Sequence, residues 1–177
     1  MWISNSILNT GLKVEEYNDS IFDIVNSKGS IEITKKHNDN FHNVLTNQIK
    51  MSSEIKLTVL NNPNTHGLNC LLVGIHEKKF FKIEGHIYNN KGLYVSDGKT
   101  VYKEPSKYIS TKVNFISKGD YVIIYVNLAK KILIFKDKKG HSCEHDLSGM
   151  NIKDIHFSFL IWFSKTKIKI ERSKEIK

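Results

Sequence analysis

The hexapeptide "HSCEHD" holds the residues of this chain that are best suited to chemistry. His141, Cys143 and His145 alternate, so in an extended segment their side chains project from one face. Imidazole and thiolate groups are zinc ligands, and a fourth ligand would have to come from elsewhere, such as His86 or Asp154. A strand with this alternation is a weak metal signature by itself, so we expect no metal here and no cofactor in the protein.

Catalytic motifs with fixed spacing are not found in the sequence. It has no G-x-S-x-G turn, no glycine-rich phosphate loop and no cysteine–histidine signature in a recognised local context. Two carboxylate pairs are present, Glu15 with Glu16 and Glu144 with Asp146. Neighbouring surface carboxylates are far more often solvated than catalytic. We therefore predict that the protein is not an enzyme.

Short apolar and aromatic runs recur between clusters of Gly, Asn, Asp and Ser, a pattern typical of an all-β domain. Helix-period segments are hard to find. The predicted strands are, in chain order, Ser20–Val25, Ser30–Thr34, Glu54–Leu60, Cys70–Ile75, Gly92–Ser96, Thr100–Tyr102, Tyr121–Asn127, Ile132–Lys136, Ile155–Phe163 and Lys167–Glu171.

Two segments predict how the strands face solvent. In Lys165–Ile170, lysines alternate with apolar residues and threonine, as expected for an antiparallel strand with one buried and one solvated face. The segment Val122–Val126 is almost continuously apolar, so we expect a central strand covered on both faces. It would pair with Ile132–Phe135 across a turn at Leu128–Lys131. Two such layers stacked face to face make a β-sandwich of two antiparallel sheets.

Length and composition limit the organisation of the chain. Its 177 residues, 40% of them hydrophobic, suffice for one domain with a proper core, and no linker or repeat divides them. We predict a single domain over residues 1–177. Cys70 and Cys143 are expected to be free thiols in a reducing compartment. Because we find no signal-peptide pattern and no apolar run of about 18 residues, we expect no membrane contact and an intracellular, cytoplasmic location, with the cytoskeleton as one candidate site.

The net charge of +9 lies in the second half of the chain. Residues 1–88 hold 9 Lys and 9 acidic residues, whereas residues 89–177 hold 18 Lys and Arg against 9 acidic residues. Arg172 is the only arginine among the 27 basic residues, and arginine is the side chain suited to bidentate phosphate and guanine contacts. We therefore do not favour a nucleic-acid partner. The lysines are interpreted as a solvated surface that would also suit an acidic protein partner.

The segment "GDYVIIYVNLAKKILIFKDKKG" resembles the central hairpin of SPRY domains. In that family a Gly-Asp turn leads into an apolar strand, a short polar turn, a Leu-x-Phe strand and a terminal glycine. The residues in those places are Gly119, Asp120, Leu133 or Ile134, Phe135 and Gly140.

The resemblance extends over residues 20–171. Leu71–Ile75 resembles the valine-glycine core strand of the family, and Gly92–Tyr102 resembles its next hairpin. Ile155–Ile170 resembles the closing pair of strands, with Trp162 where some members carry a tryptophan. The domain then divides into an N-terminal extension of strands over residues 1–50, a core over residues 51–171 and a basic tail over residues 172–177.

The chain departs from the family pattern at two places. The early strand begins "SSEIKLTV" where many members have Tyr-Trp-Glu-Val, which keeps only Glu54 and the alternation. Asn127 stands where the first strand of the central hairpin usually ends on an acidic residue. The chain is therefore identified as a diverged member.

The resemblance implies a bent sandwich of two antiparallel sheets without a catalytic centre, whose loops at one end bind a peptide segment or a protein surface. Such a site needs a rigid scaffold and a few aromatic anchors. The motif match places Trp162 there, although the same residue could simply cap the core where the last two strands bend. The remaining candidates come from turn placement and are Phe163, Tyr94, Tyr102, Tyr108, Asn64, Thr65 and His66.

Three functions stay open on the sequence. The favoured one is a protein-interaction module that binds another protein or a short peptide motif. The second is an intracellular, lectin-like carbohydrate-binding sandwich, because lectins share this architecture and a fold does not fix a function. The third is a structural subunit or adaptor that docks in a multi-subunit assembly.

Overall fold

The structure is a computed structural model that describes residues 11–64, 69–85, 91–103 and 107–172. Fourteen strands lie within these residues: β1 Val14–Glu16, β2 Phe22–Ser27, β3 Ser30–Lys35, β4 His42–Gln48, β5 Ser53–Asn61, β6 Leu71–Glu77, β7 Gly92–Ser96, β8 Thr100–Lys103, β9 Lys107–Ser110, β10 Tyr121–Asn127, β11 Ile132–Asp137, β12 Ser142–Asp146, β13 Ile155–Ile161 and β14 Lys167–Arg172. A single 3-10 turn, Lys78–Phe80, follows β6. No helix in the described part of the chain is long and apolar enough to cross a membrane.

The strands form two antiparallel sheets of seven. The first sheet has the order β1-β4-β13-β6-β7-β8-β9, and the second sheet has the order β12-β11-β10-β5-β14-β3-β2. Strands from the first 50 residues lie in both sheets, with β1 and β4 in the first and β2 and β3 in the second. The predicted all-β fold, a bent sandwich of two antiparallel sheets, is confirmed.

The hydrophobic core lies between the two sheets. Both inner faces supply fully buried side chains, among them Val73, Val95, Phe159, Leu57, Ile124 and Leu133. The connection from β9 to β10 adds Val113 and Phe115 to the same core. Each such side chain stabilises the fold by roughly 1.5–3 kcal/mol relative to an exposed position.

β10 was predicted to be a central strand that is covered on both faces, and only the central position is confirmed. The strand lies inside the second sheet, between β11 and β5, as predicted. Its burial alternates, however, because only Val122, Ile124 and Val126 are buried. The outward Ile123 is half-buried, and its cross-strand neighbours are Lys56 and Lys136. Long lysine stems can cover apolar surface while their charges stay in water, so a continuous apolar run does not require a second protein layer.

The outer face of the second sheet is polar. Along β14, Ile168 and Ile170 are fully buried, and Lys167 and Lys169 point outward, as the alternation predicts. Their ammonium groups form ion pairs with Glu32 at 2.7 Å and with Glu171 at 2.9 Å. This lysine row is therefore a solvated sheet face.

The outer face of the first sheet is apolar and covered instead. All residues of β6 and β13 are buried, which requires a cover on both sides. Part of the cover is the segment after β6, which bonds to the start of β4, where β1 does not pair with it: the Asn43 N–H donates to the Ile83 carbonyl at 2.8 Å. Phe81 and Trp162 pack against a second cluster of buried residues, namely Phe41, Leu72, Tyr94, Tyr102 and Leu160.

Candidate functional site

Trp162 lies at the end of the sandwich where three connections meet. Its backbone N–H donates to the Cys70 carbonyl at 2.9 Å, which joins the end of β13 to the start of β6. The Ser164 N–H donates to Oδ1 of Asp39 at 2.7 Å, and Nδ2 of Asn61 donates to the Lys165 carbonyl at 2.7 Å. The connections after β3, β5 and β13 are thereby held together.

The indole of Trp162 is only partly buried. One side packs against the outer-face cluster, where the ring of Phe41 meets it edge-to-face with centroids 5.0 Å apart and planes at 80°. Aromatic pairs in this geometry are favourable, by about 0.5–1.5 kcal/mol beyond the area they bury. Both interpretations of Trp162 thus have a structural basis, since the ring packs against a cluster and the residue is not fully buried. Phe163 beside it is also half-buried.

A buried lysine holds the backbone of this site in place. The side chain of Lys35 is fully buried, and Nζ donates to the carbonyls of Asn40, Ile161 (2.9 Å) and Trp162. Burial lowers the pKa of Lys35 from 10.5 to about 8, and the nearby charge of Asp39 opposes this shift. Three acceptors fill the donor capacity of an ammonium group, so Lys35 fixes the loop after β3 against the loop after β13.

Asn64 is buried and hydrogen-bonded to Asp97, so its side chain is not exposed for ligand binding. Its side chain is 4% exposed, and Nδ2 donates to Oδ2 of Asp97 at 2.9 Å. Asp97 also accepts from Asn62 Nδ2 at 3.0 Å and from the N–H groups of Cys70 and Leu71 at 2.9 and 3.2 Å. Burial raises the pKa of Asp97, and these hydrogen bonds oppose the shift. The predicted loop residues Thr65 and His66 lie outside the described residues.

The three candidate tyrosines form one row across neighbouring strands. Tyr94 pairs with Tyr102, and Tyr102 pairs with Tyr108. Exposure rises along the row from 0% through 7% to 59%. The Tyr94 hydroxyl donates to Oγ of Ser158 at 3.1 Å, and burial raises its pKa. Tyr94 and Tyr102 therefore support the cluster beneath Trp162, and Tyr108 presents its ring at the sheet edge, 5.1 Å from that of Tyr102.

The segment considered for zinc is an edge strand with an alternating face. His141, Cys143 and His145 are half-buried, and the residues between them are exposed, so the predicted alternation is confirmed. Nδ1 of His141 lies 2.9 Å from Oδ2 of Asp137. Burial opposes ionisation of Asp137, but hydrogen bonds from His141 and from backbone N–H groups give it a lowered pKa. Over the described ranges, no three His, Cys, Asp or Glu side chains are grouped as a metal site would require.

Sequence reasoning missed the residues that hold the site. Lys35 precedes another lysine and a histidine, a pattern that indicates a solvated surface. Asp97 was recognised only as part of an Asp-Gly turn, and Phe41 stands alone between polar residues. The alternation of β3 does place Lys35 on the same face as Ile31 and Ile33, and that signal could have indicated its burial.

No protein-family model matches the sequence, and no curated protein matches it significantly. Solved structures do match. The SPRY domain of human HERC1 is 10% identical with a TM-score of 0.66, over 88% of this chain and 99% of that chain. The TRIM65 PSpry domain is 9% identical with a TM-score of 0.60, over 93% of both chains. A legume lectin-like domain from Entamoeba histolytica is 13% identical with a TM-score of 0.55, over 92% of this chain and 87% of that chain. The chain therefore has the fold of SPRY domains, as its resemblance to them implied.

Proposed function

We propose that this protein is a non-catalytic interaction module that binds a peptide segment or a protein surface at the Trp162 end of the sandwich. The observation that carries the proposal is the partly buried indole of Trp162, which packs against a cluster of buried aromatic and aliphatic side chains. Tryptophan is enriched among the few residues that supply most of the energy of protein–protein binding, and such residues are well packed by their neighbours.

The backbone around the anchor is ordered before any partner arrives. Lys35 bonds the carbonyls of Asn40 and Trp162, and Asp39 accepts the N–H of Ser164. Binding to loops that are already fixed avoids much of the entropy cost of ordering them. This arrangement supports recognition of an extended peptide by a rigid loop surface rather than by a mobile lid.

The charges on the rim favour an acidic partner. Lys36 and Lys165 are exposed on the two loops beside Trp162, and Lys36 also pairs with Asp23 at 3.4 Å. The rim carries one carboxylate as well, since hydrogen bonds from Ser164 lower the pKa of Asp39 and keep it ionised. We infer that the preferred ligand places an apolar side chain over the indole and carboxylates next to the lysines. The charges would increase the association rate more than the affinity.

A peptide selection tests this proposal. Random peptides displayed on phage are selected on the wild-type domain, and the Kd of the selected peptide is measured for wild type, Trp162→Ala and Trp162→Phe. Loss of a hot-spot aromatic costs at least about 2 kcal/mol, so we expect roughly thirtyfold weaker binding for Trp162→Ala. Trp162→Phe keeps a ring against Phe41 and should lie between the two.

The matched control is Tyr121→Ala, which removes a half-exposed aromatic ring from the second sheet. It should leave the Kd unchanged within a factor of two. Thermal unfolding of each variant separates loss of binding from loss of fold. If the selected peptides bind Trp162→Ala as tightly as wild type, the contact lies elsewhere and the proposed site is wrong.

Carbohydrate binding is the second candidate, because the sandwich also matches a legume lectin-like domain over most of both chains. A glycan array incubated with the labelled domain tests it directly. Saturable binding of one glycan class, competed by the free sugar, would favour this function over peptide recognition. An array without hits would remove it.

A further inference from the structure

Among the described residues, β9 forms one of the two edges of the first sheet, and β1 forms the other. β9 pairs with β8 and is the last strand in the sheet order. The Thr111 N–H donates to the Lys99 carbonyl at 2.9 Å, and the ladder continues from there in regular register. In an antiparallel ladder the residues alternate, so Tyr108 and Ser110 direct their N–H and C=O groups away from β8.

Two neighbouring residues at the centre of this edge strand have large, accessible side chains, one on each face of the strand. Tyr108 is 59% exposed, and the next residue, Ile109, is 45% exposed. Natural sheet edges are usually protected by charges, prolines or bulges. The edge strand β12 of the second sheet follows this rule, because its exposed residues are Ser142, Glu144 and Asp146. In β9 a charged residue, Lys107, stands only at the first position, and the two residues that follow it are exposed and apolar or aromatic.

Exposed lysines stand at one end of the strand. Lys112 follows β9 by two residues, and Lys99 pairs by a backbone hydrogen bond with Thr111, so both charges lie near Ser110. The chain as a whole carries +9. A second copy of this chain would bring the same lysines and the same net charge to the interface, which opposes self-association.

We propose that β9 accepts an extended acidic segment of a partner protein as an additional strand of the first sheet. The open N–H and C=O groups of Tyr108 and Ser110 bond to its main chain, and alternate apolar side chains of the segment contact Tyr108 and Ile109. Its carboxylates lie at the end beside Lys99 and Lys112. This surface is independent of the Trp162 site, because four strand spacings of about 4.8 Å separate β13 from β9.

The test uses a fluorescein-labelled peptide with the sequence Asp-Glu-Asp-Val-Thr-Val-Thr and measures its fluorescence anisotropy with the full chain. The decisive variant is Ser110→Pro, because an edge strand tolerates proline where the N–H points to solvent. It removes one of the two outward N–H groups and leaves the ladder to β8 in place. We expect at least tenfold weaker binding. Lys112→Glu should weaken binding three- to tenfold, with most of the loss at low salt.

Lys130→Glu is the charge-matched control. Lys130 is exposed in the turn between β10 and β11 on the second sheet, so this variant should bind within a factor of two of wild type. Amide hydrogen exchange with the wild-type protein provides a measurement that needs no variant. Slower exchange at Tyr108 and Ser110 when the peptide is present supports the proposal.

The proposal would be overturned by any of three results with the peptide: no saturable binding, equal binding by Ser110→Pro, or protection from exchange at another strand edge. Sedimentation of the protein without peptide gives a further test. If wild type formed a dimer and Ser110→Pro did not, the edge would be assigned to a second copy of the chain. Failure of this proposal leaves the Trp162 peptide selection unaffected, because the two experiments use different ligands and different variants.

Discussion

The ammonium group of Lys35 donates a hydrogen bond to the carbonyl oxygen of Ile161, a residue 126 positions later in the chain, at 2.9 Å. Lys35 ends β3 in the second sheet, and Ile161 ends β13 in the first. One buried side chain therefore joins the two layers at the end of the sandwich that carries Trp162.

Removal of this ammonium group should destabilise the fold. Lys35→Met keeps much of the side-chain volume but leaves three carbonyls without their donor, so we expect a loss of about 1–3 kcal/mol in the free energy of unfolding. Lys35→Ala adds a cavity and should cost about 2–5 kcal/mol. Urea unfolding measures both values. The exposed Lys118→Ala is the control and should change the value by less than about 0.5 kcal/mol. Wild-type stability of Lys35→Met would contradict the structural role.

Stability should also depend on pH through Lys35. Burial lowers its pKa to about 8 in the folded protein, whereas in the unfolded chain the pKa has its ordinary value of 10.5. Between these two pH values the unfolded chain therefore binds more protons than the folded protein. The free energy of unfolding then rises with pH across this window, by about 1–3 kcal/mol from this group. Lys35→Met should lack that rise.

The comparison with Lys35→Met is needed because another group acts in the opposite direction. Burial raises the pKa of Cys70 from 9.0 to about 11, so the folded state holds its proton longer and stability falls with pH between those values. Subtracting the unfolding free energies of Lys35→Met from those of wild type isolates the lysine. A difference that stays flat from pH 8 to 10.5 would contradict the lowered pKa.

Gly74→Ala should prevent normal folding. Gly74 lies in β6 beside β7, and a Cβ atom there would lie directly against the carbonyl oxygen of Leu93 and 2.9 Å from Cα of Tyr94. The contacting atoms are backbone and cannot move aside cheaply, so we expect a loss of about 3 kcal/mol or more. Gly149→Ala is the control, because nothing lies within 4 Å of a Cβ at that position. Thermal unfolding measures the melting temperature of both variants. If Gly74→Ala melted at the same temperature as wild type, the close approach of the two strands at this position would be contradicted.

Asp97→Asn should loosen the loop that precedes β6. The carboxylate accepts four N–H groups, whereas an amide has one oxygen and would set its own NH₂ against other donors. We expect a loss of about 1–3 kcal/mol and faster amide exchange at Asn62 and Asn64. Asp23→Asn, at an exposed ion pair with Lys36, should change stability by less than about 1 kcal/mol. Unchanged exchange at Asn64 in Asp97→Asn would contradict the role of the network.

Most strands could be predicted from the sequence, and the exceptions have a common cause. Each of the ten predicted strands corresponds to an observed one, because period-two patterns of Val, Ile and Phe report burial directly. The strands β1, β4, β9 and β12 were not predicted. β4 reads His-Asn-Val-Leu-Thr-Asn-Gln, and its polar residues are buried by pairing with β13 and by the segment after β6, which no local pattern reveals.

The site was only partly predictable for a similar reason. Trp162 could be found because it follows a strong apolar strand at a position that the family resemblance marks. Lys35 and Asp97 could not, because their roles depend on residues far away in the sequence, including Ile161 for one and Asn62 for the other. Local patterns carry the side-chain period of a strand, but they carry no information about which distant carbonyl or amide will face it.

The placement of β13 and β14 has a consequence for how the chain is made. β13 lies between β4 and β6, and β14 lies between β3 and β5. Without these two strands, each sheet consists of two groups of strands that share no ladder, and β1 to β4 bond outside their own group only where Phe41–Asn43 meet the segment after β6. During translation the early strands must therefore wait, with apolar faces exposed, until residues 155–172 leave the ribosome. Completion of the fold is therefore a late event that depends on contacts between residues far apart in the sequence, and we expect slow folding as a result.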